Sequence, residues 1–457
     1  MERASREQLL EIICAQRAQM EVLVARVEAL EEENRRLRRG GGGGVQLAIK
    51  ASRPPKQKKE RKRRDRAYVR RRERSDETVY HAMESCPECG RKLCGGWDHR
   101  RRQVIEVVLP RVRVVEHVVV ARRCGICGKR WVPKLGSREL GVQGKRRFGV
   151  SVQSLVATLH IACRVPMKVI RRLLRELWGL QVSAGEVVEL LDGTKAAGKE
   201  AIAQLLEQVR GSPAVCGDET GWRQDGDNGY LWTFSTPTIR YFLYRKSRSG
   251  QVPKEVLGEE FGGVVTCDFY GGYNKLGVLQ RCWFHLLKDA RELAEINADR
   301  LETVAWVEAL RNLYEEAKAV ASACAGLPAD CRPRHKQRRH LERAAVELAR
   351  PYAKDPDAPQ RLLAQRIIKH RHELFVFISD PAVPATNNLA ERSLRPAVVA
   401  RKISGGTRSP KGSETKMGLM SLFGTWQVQD KPLLESCRQL LLAPRPARPP
   451  QNYSHQD

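Results

Sequence analysis

Three acidic residues lie far apart in the chain, in settings where carboxylates can work on phosphate. Asp218 closes the apolar run AVCGDET, Asp268 closes GVVTCD before FYGGY, and Glu391 lies near the start of a predicted helix in TNNLAERSLRP. Carboxylates at the ends of neighbouring strands can converge above a sheet edge, and a helix packed beside the first strand would add the third. Such a set suits two divalent ions about 3.5–4 Å apart, which activate an attacking oxygen and stabilise a leaving one in phosphodiester chemistry. Magnesium, or manganese in its place, prefers oxygen ligands and retained water. Each residue taken singly also fits an ordinary role. Asp favours strand-end turns, and Asn388 followed three residues later by Glu391 matches a capping box.

The neighbours sharpen the question. Glu219 adjoins Asp218 but would face the other side of a strand. Trp222 and the Phe269, Tyr270, Tyr273 cluster fit a core better than a base-stacking platform. Asn387, Asn388, Arg392 and Arg395 surround Glu391 and could orient it or hold DNA phosphates; Arg401 and Lys402 follow in the basic stretch RKISGGTRSPKGS.

The elements that must position these groups are those of a multidomain α/β protein. From 213, PAVCGDETGWR, YLWTFSTP and IRYFLYRKS are three closely spaced apolar runs, PKEVLGEEF is helix-like, and GGVVTCDFY and QRCWFH look like further strands. Three meander strands, a crossover helix and parallel strands describe an α/β sheet of ribonuclease-H-like type. This predicts a catalytic core over 211–426, with a charge-rich helical insertion at about 295–378 and a C-terminal tail at 427–457, Pro-rich near its end. Upstream, 146–210 is predicted helical. PMKVIRRLLRELWGL and SAGEVVELLDG flank a turn with Gly179, and Ser183 with Glu186 forms a capping box opening the second helix. The pair fits a helix-turn-helix for DNA and equally a simple packed hairpin.

The partner class follows from charge. Against 53 Asp+Glu stand 82 Lys+Arg, a formal net charge of +29, which concentrates polyanions at the surface. Residues 1–39 carry coiled-coil heptads, with Ile13, Met20, Val27 and Asn34 on one seam and Leu9, Leu23, Leu30 and Leu37 on the other. Asn34 is the kind of seam residue that fixes register, so self-association is expected. The linker at 40–80 begins with five glycines and contains Lys58, Lys59, Arg61, Lys62, Arg63 and Arg64, a candidate phosphate clamp.

A small module is expected at 81–135. Cys86-Pro-Glu-Cys89 and Cys124-Gly-Ile-Cys127 present four thiolates, the full shell of a structural zinc ion. Between them lie two strand-like runs, 103–109 and 111–120, parted at Pro110, which could form a returning hairpin. Cys94 and His99 are spare ligands. The remaining cysteines are mostly scattered singly, so CxxC pairs in a reducing compartment fit better than disulfides. With no apolar N-terminal h-region and no apolar run of about 18 residues, the expected location is cytoplasmic.

The motifs GDETGW, VVTCDFYGGYNKL, CWFHLLKDAR and TNNLAERSLRPAVVARKISGGTRS, in that order, resemble the IS66 family of bacterial insertion-sequence transposases over roughly 80–425. The resemblance implies a DDE-type transposase with a ribonuclease-H-like core and a helical insertion before the final glutamate. It makes Asp218, Asp268 and Glu391 the metal triad, acting on terminal inverted repeats and target DNA, with helper proteins admitted as further partners. It also brings His285, in CWFH, near the centre, either contacting substrate phosphate or as a hydrogen-bonded junction histidine. Two other readings share these features: a non-catalytic DNA-binding protein derived from a transposase, and another ribonuclease-H-like nuclease.

Overall fold

The computed structural model describes residues 147–443 continuously and, before them, 74, 77–81, 83–95, 112–127, 129–132 and 141. The heptads of 1–39, the basic residues Lys58 to Arg64 and the Pro-rich end at 444–457 lie outside the described residues. The chain divides into two compact units, Met1–Glu106 and Val107–Asp457.

In the first unit the chain around Cys86 forms a tight knuckle: the Cys86 amide donates to Arg91 O at 2.8 Å and Gly90 N to Cys86 O at 2.8 Å. The second unit repeats the device, with Cys124 N donating to Lys129 O at 2.9 Å. There β1 (Arg122–Arg123) pairs antiparallel with β2 (Arg130–Trp131) across the second knuckle. The strand expected at 111–120 is not formed: 112–120 have no ladder, and Val114 and Val118 are 89% and 75% exposed. An extended run needs a partner to satisfy its backbone, and these residues have none among the described residues.

Four helices open the continuous part: α1 (Val150–Ile161), α2 (Met167–Trp178), α3 (Ala184–Ala197) and α4 (Lys199–Arg210). The Ser183–Glu186 capping box is present at the start of α3, and Gly179 ends α2 in the left-handed region at φ 66°. Gln153 of α1 locks onto α3, donating to Leu190 O and Thr194 Oγ1, each at 3.1 Å.

A five-stranded mixed sheet follows. β3 (Ala214–Gln224), β4 (Asp227–Ser235) and β5 (Arg240–Arg245) form the antiparallel meander. The β3–β4 turn is the two residues Asp225 and Gly226, at φ 54° and 85°, the positive-φ pair that matches strand twist in a tight hairpin. The chain then crosses through α5 (Gln251–Leu257), and β6 (Val264–Cys267) and β7 (Val278–Arg281) add parallel to β3, giving the order β5-β4-β3-β6-β7.

Strand character ends earlier than the run QRCWFH suggests. Cys282 is a helix N-cap and Trp283 begins α6 (Trp283–Ile296), because Trp283, Leu286 and Ala290 bury one helical face. With α7 (Leu301–Ala323), α8 (Arg332–Ala353), α9 (Arg361–Lys369) and the short α10 (Val376–Ser379), α6 forms a helical block with its own core around Trp283, Trp306, Leu341 and Phe375. Gln280 of β7 joins sheet to block, donating to Leu374 O at 3.0 Å and accepting from Phe377 N at 3.0 Å.

Two long helices then return to the sheet. α11 (Asn388–Ser404) packs on β3 and β4, and α12 (Pro410–Val428) on β5. The edge strand β5 is capped from α12: Arg240 N donates to Thr425 Oγ1 at 3.0 Å and Phe242 N to Ser421 Oγ at 2.9 Å. Four helical residues rise about 6 Å, close to the span of two strand residues, so the two hydroxyls match successive outward amides and blunt the edge. Within the stretch expected as a tail, α13 (Leu433–Leu442) is a helix packed on α1.

Candidate active centre

Asp218 lies in the middle of β3, with the strand running on to Gln224, so it is not the strand-end residue the apolar run suggested. Its neighbour across the sheet is β6. The parallel register pairs 214 with 264, 215 with 265 and 216 with 266. The ladder ends there, and Asp268, two residues on, lies close enough to act on the Asp218 carboxyl. Asp268 follows the last residue of β6 and is partly buried.

The third carboxylate arrives by a side-chain clamp. Asn387 is fully buried at the N-cap of α11, and its Nδ2 donates to Gly217 O at 2.8 Å, one residue before Asp218. Its backbone N–H donates to Cys282 Sγ at 3.1 Å, and its carbonyl accepts the Glu391 amide at 3.2 Å. The capping-box alternative is therefore overturned: Asn388 is the first helical residue, and no side chain caps the helix. Gly217 suits this position, since a Cβ would crowd the Tyr273 ring at 3.0 Å.

Electrostatics records the convergence. Burial, then the charge of Glu219, with Asp268 and Glu391 adding to it, pushes the Asp218 carboxyl up to about 8, against the pull of the Glu219 N–H donating to its Oδ1 at 2.9 Å. Asp268 Oδ1 accepts the Tyr270 amide at 2.9 Å, and its backbone carbonyl accepts from Arg281 Nη1 at 2.8 Å. Arg281 is wholly buried on β7 and also bridges to Glu373 at 2.6 Å. A buried guanidinium with fixed acceptors is a rigid strut behind Asp268.

Glu219 lies on the face of β3 opposite Asp218, the face it shares with Gly217 and that meets Tyr273. Its side chain is 2% exposed, accepts from Tyr273 Oη at 2.8 Å, and pairs with Arg248 at 2.7 Å. Burial raises its pKa while Tyr273 and Arg248 hold it down. Arg248 in turn lies 3.9 Å from the centroid of the Tyr270 ring. Trp222 and Tyr273 are core residues, as their sequence context suggested.

His285 falls in the first turn of α6, with Nε2 3.7 Å from Glu391 Oε1. That is beyond a strong hydrogen bond. His285 Nδ1, Glu391 Oε1 and Asn387 Oδ1 are buried without a partner among the described residues. Cys282, His285 and Glu391 are also close enough, with ligand atoms within 4.8 Å, to share one ion. Buried unsatisfied polar atoms are costly in a native fold, and three together point to a site that is completed by a ligand.

The surrounding basic residues divide. Arg392, Arg395 and Lys402 are exposed on α11. Arg401 is engaged within the protein: Nη1 donates to Gly221 O and to Thr220 Oγ1 at 3.3 Å, fastening α11 to β3. Of the expected zinc ligands, Cys86 and Cys89 share one knuckle, and Cys124 and Cys127 share the other. The amides of Cys89 and Glu88 hold the Cys86 thiol below its usual range, and those of Cys127 and Ile126 do the same for Cys124.

The family model described as Transposase IS66 family matches residues 145–415, well over half of the chain. The chain belongs to the IS66 transposase family. No curated protein matches it. The IS66 match takes in α1 to α4, the whole five-stranded sheet, the helical block and α11. No helix among the described residues is long and apolar enough to cross a membrane.

Asp218, Asp268, Glu391 and His285, with Asn387 as an orienting residue, are the candidates the sequence offered, and the fold brings their side chains near one another. Arg248 and Arg281 were not singled out, and Glu219 lies on the face away from Asp218, as strand alternation predicts. Nothing local announces the two arginines, because their partners lie 29 residues away in one case and 92 in the other.

Proposed function

We propose that this chain is a DNA transposase that cleaves DNA at the ends of an insertion sequence and joins the freed 3′-hydroxyl to target DNA. Asp218, Asp268 and Glu391 are its metal-binding triad on a ribonuclease-H-like core, a reading supported by the sheet order β5-β4-β3-β6-β7. The observation that carries it is the burial of Asp218 among three further carboxylates, which raises its pKa to about 8. In a protein of net charge +29, such a cluster has no stabilising role by itself: like charges out of water oppose one another.

Oxygen donors at this density fit magnesium or manganese, and Glu391 Oε1 is a buried donor left without a partner. Two such ions, when bound, lower the pKa of the attacking oxygen and take up charge on the leaving oxygen. The protein's own work is positional. The Glu219 and Tyr270 amides each fix one carboxylate oxygen, of Asp218 and Asp268 respectively. Asn387 holds the start of α11 against β3, which keeps Glu391 beside the pair. His285 lies next to Glu391, where it can donate to a phosphate oxygen.

Structural zinc remains the reading for the Cys-x-x-Cys knuckles, supported in each by one thiol, Cys86 or Cys124, that backbone amides hold below its usual range, toward the thiolate form that binds metal. The heptads of the N-terminus would bring two copies together, as pairing two DNA ends demands. The test is a joining assay on end DNA with the purified chain in magnesium. Release of a 3′-hydroxyl followed by joining to a plasmid is expected. Hydrolysis without joining would mark a nuclease, and binding without cleavage a non-catalytic relative.

A further inference from the structure

α2 buries Ile170 and Leu174 and packs on α1 and α3. Its basic residues Lys168, Arg171, Arg172 and Arg175 line a cleft whose opposite side is Gln181, Ser183 and Glu186 at the start of α3. Three fixed points shape this cleft. Gly179 turns the chain in a left-handed C-cap. Arg171 Nε donates to Val182 O at 2.8 Å. Ser183 and Glu186 exchange capping hydrogen bonds at 2.8 and 3.1 Å. The one carboxylate in the lining is thereby occupied by backbone. Arg175 pairs with Glu176 at 2.7 Å, but both are about 60% exposed, so that pair is weak and exchangeable. Lys168 and Arg172 have no ion-pair partner among the described residues.

We propose that this cleft is a docking surface for the phosphate backbone of duplex DNA, a second contact region separate from the acidic centre. The proposal rests on the DNA-processing reading above and adds where the duplex is held. Lys168, Arg172 and Arg175 recur at helical spacing on one face and span about 10 Å of axis, matching about three base-pair steps of duplex. No aromatic residue lines the cleft, so the stacking platforms that hold single strands are missing. Its contribution is electrostatic and insensitive to base sequence.

The experiment uses the full chain and a fluorescein-labelled mixed-sequence duplex in EDTA, so that binding is read without cleavage. Anisotropy titrations over a range of potassium chloride compare the parent with Lys168→Gln/Arg172→Gln/Arg175→Gln. Lys336→Gln/Arg339→Gln/Arg343→Gln, on the exposed side of α8, removes equal charge elsewhere. The cleft variant should bind about 10–100-fold more weakly at low salt and lose about 0.9 per removed contact from the slope of log K against log salt. The α8 variant should stay within about threefold of the parent. All three cleft positions are exposed, and an unchanged thermal melt will show that the fold is intact. Equal slopes for the cleft and α8 variants would overturn the proposal, as would an equal loss of affinity for a single-stranded oligonucleotide. A parent that holds duplex through the cleft yet never joins DNA in magnesium would remove the catalytic reading and leave the cleft standing. A parent that binds no duplex at all would remove both.

Discussion

The acidic centre beside β3 and β6 and the basic cleft between α2 and α3 are assembled in opposite ways. The centre draws its carboxylates from residues 218–219, 268 and 391, each delivered by a different element. The cleft takes its four cations from Lys168 to Arg175 on one helix. In the first group Asp218 and Glu219 are desolvated and repel one another, and the fold holds the group with Arg248, Arg281, Tyr273 and Asn387. The second is solvated, and its charges repel one another little through water. A cluster held together against that repulsion points to chemistry, while an open basic face points to contact.

Asp218→Asn or Glu391→Gln should lower joining of DNA ends by about 10³-fold or more, since each removes a ligand from the proposed ion pair. Duplex affinity in EDTA should stay at the parental value. Magnesium should raise the melting temperature of the parent and do so much less for either variant, because only the intact cluster binds the ions in its folded state.

Asn387→Ala removes the clamp and leaves Gly217 O without its side-chain donor. Joining should fall about 10–100-fold, the usual effect of losing a group that orients a metal ligand. Stability should fall by about 1–3 kcal/mol. A variant that keeps full joining activity would show that β3 and α11 need no clamp.

Arg248→Met strands the buried Glu219. Breaking a buried pair costs about 3–5 kcal/mol; with Arg248 43% exposed, about 1–2 kcal/mol is expected after solvent screening. Adding Glu219→Gln should recover most of it in a double-mutant cycle. No recovery would mean that Arg248 acts through its contact with Tyr270 instead.

The last effect, similar in size but seen only on acidification, concerns how α1 is fastened to α12. His160 of α1 is held down to about 4, by burial first and by the nearby Lys416 second. Its Nδ1 faces Val165 O at 3.1 Å and its Nε2 faces Lys416 Nζ of α12 at 3.3 Å. The folded value lies below the ordinary 6.5, so protons favour the unfolded chain. Stability is complete above 6.5 and is lost as pH falls toward 4, by about 1 kcal/mol at pH 6 and about 2 kcal/mol at pH 5. Denaturant melts at pH 7, 6 and 5 will read this, and His160→Gln should flatten the difference.

Legibility in the sequence followed the same divide. The capping box at Ser183, the left-handed Gly179 and the meander strands are local patterns, and each is present in the fold. The basic cleft of α2 was not read from the sequence, because it needs α3 to close it. Asp218 and Asp268 were found from apolar runs, but the mid-strand place of Asp218 was not, because GDETGW lacks the apolar alternation that marks a strand. Trp283 began a helix where QRCWFH suggested a strand, since its apolar partners lie in the helical block. Strand alternation put Glu219 on the face away from Asp218, and it lies there, held by Tyr273 and Arg248. Only the partners Arg248 and Tyr273, brought in by the crossover through α5, explain why a second carboxylate is buried beside Asp218.

The most direct test of the central claim is a single-turnover joining assay in magnesium, comparing the parent with Asp268→Asn on the same end DNA. The parent should form joined product, and the variant should bind the DNA equally well yet form none. Joining by Asp268→Asn at the parental rate would contradict the assignment of the acidic centre as the seat of the chemistry.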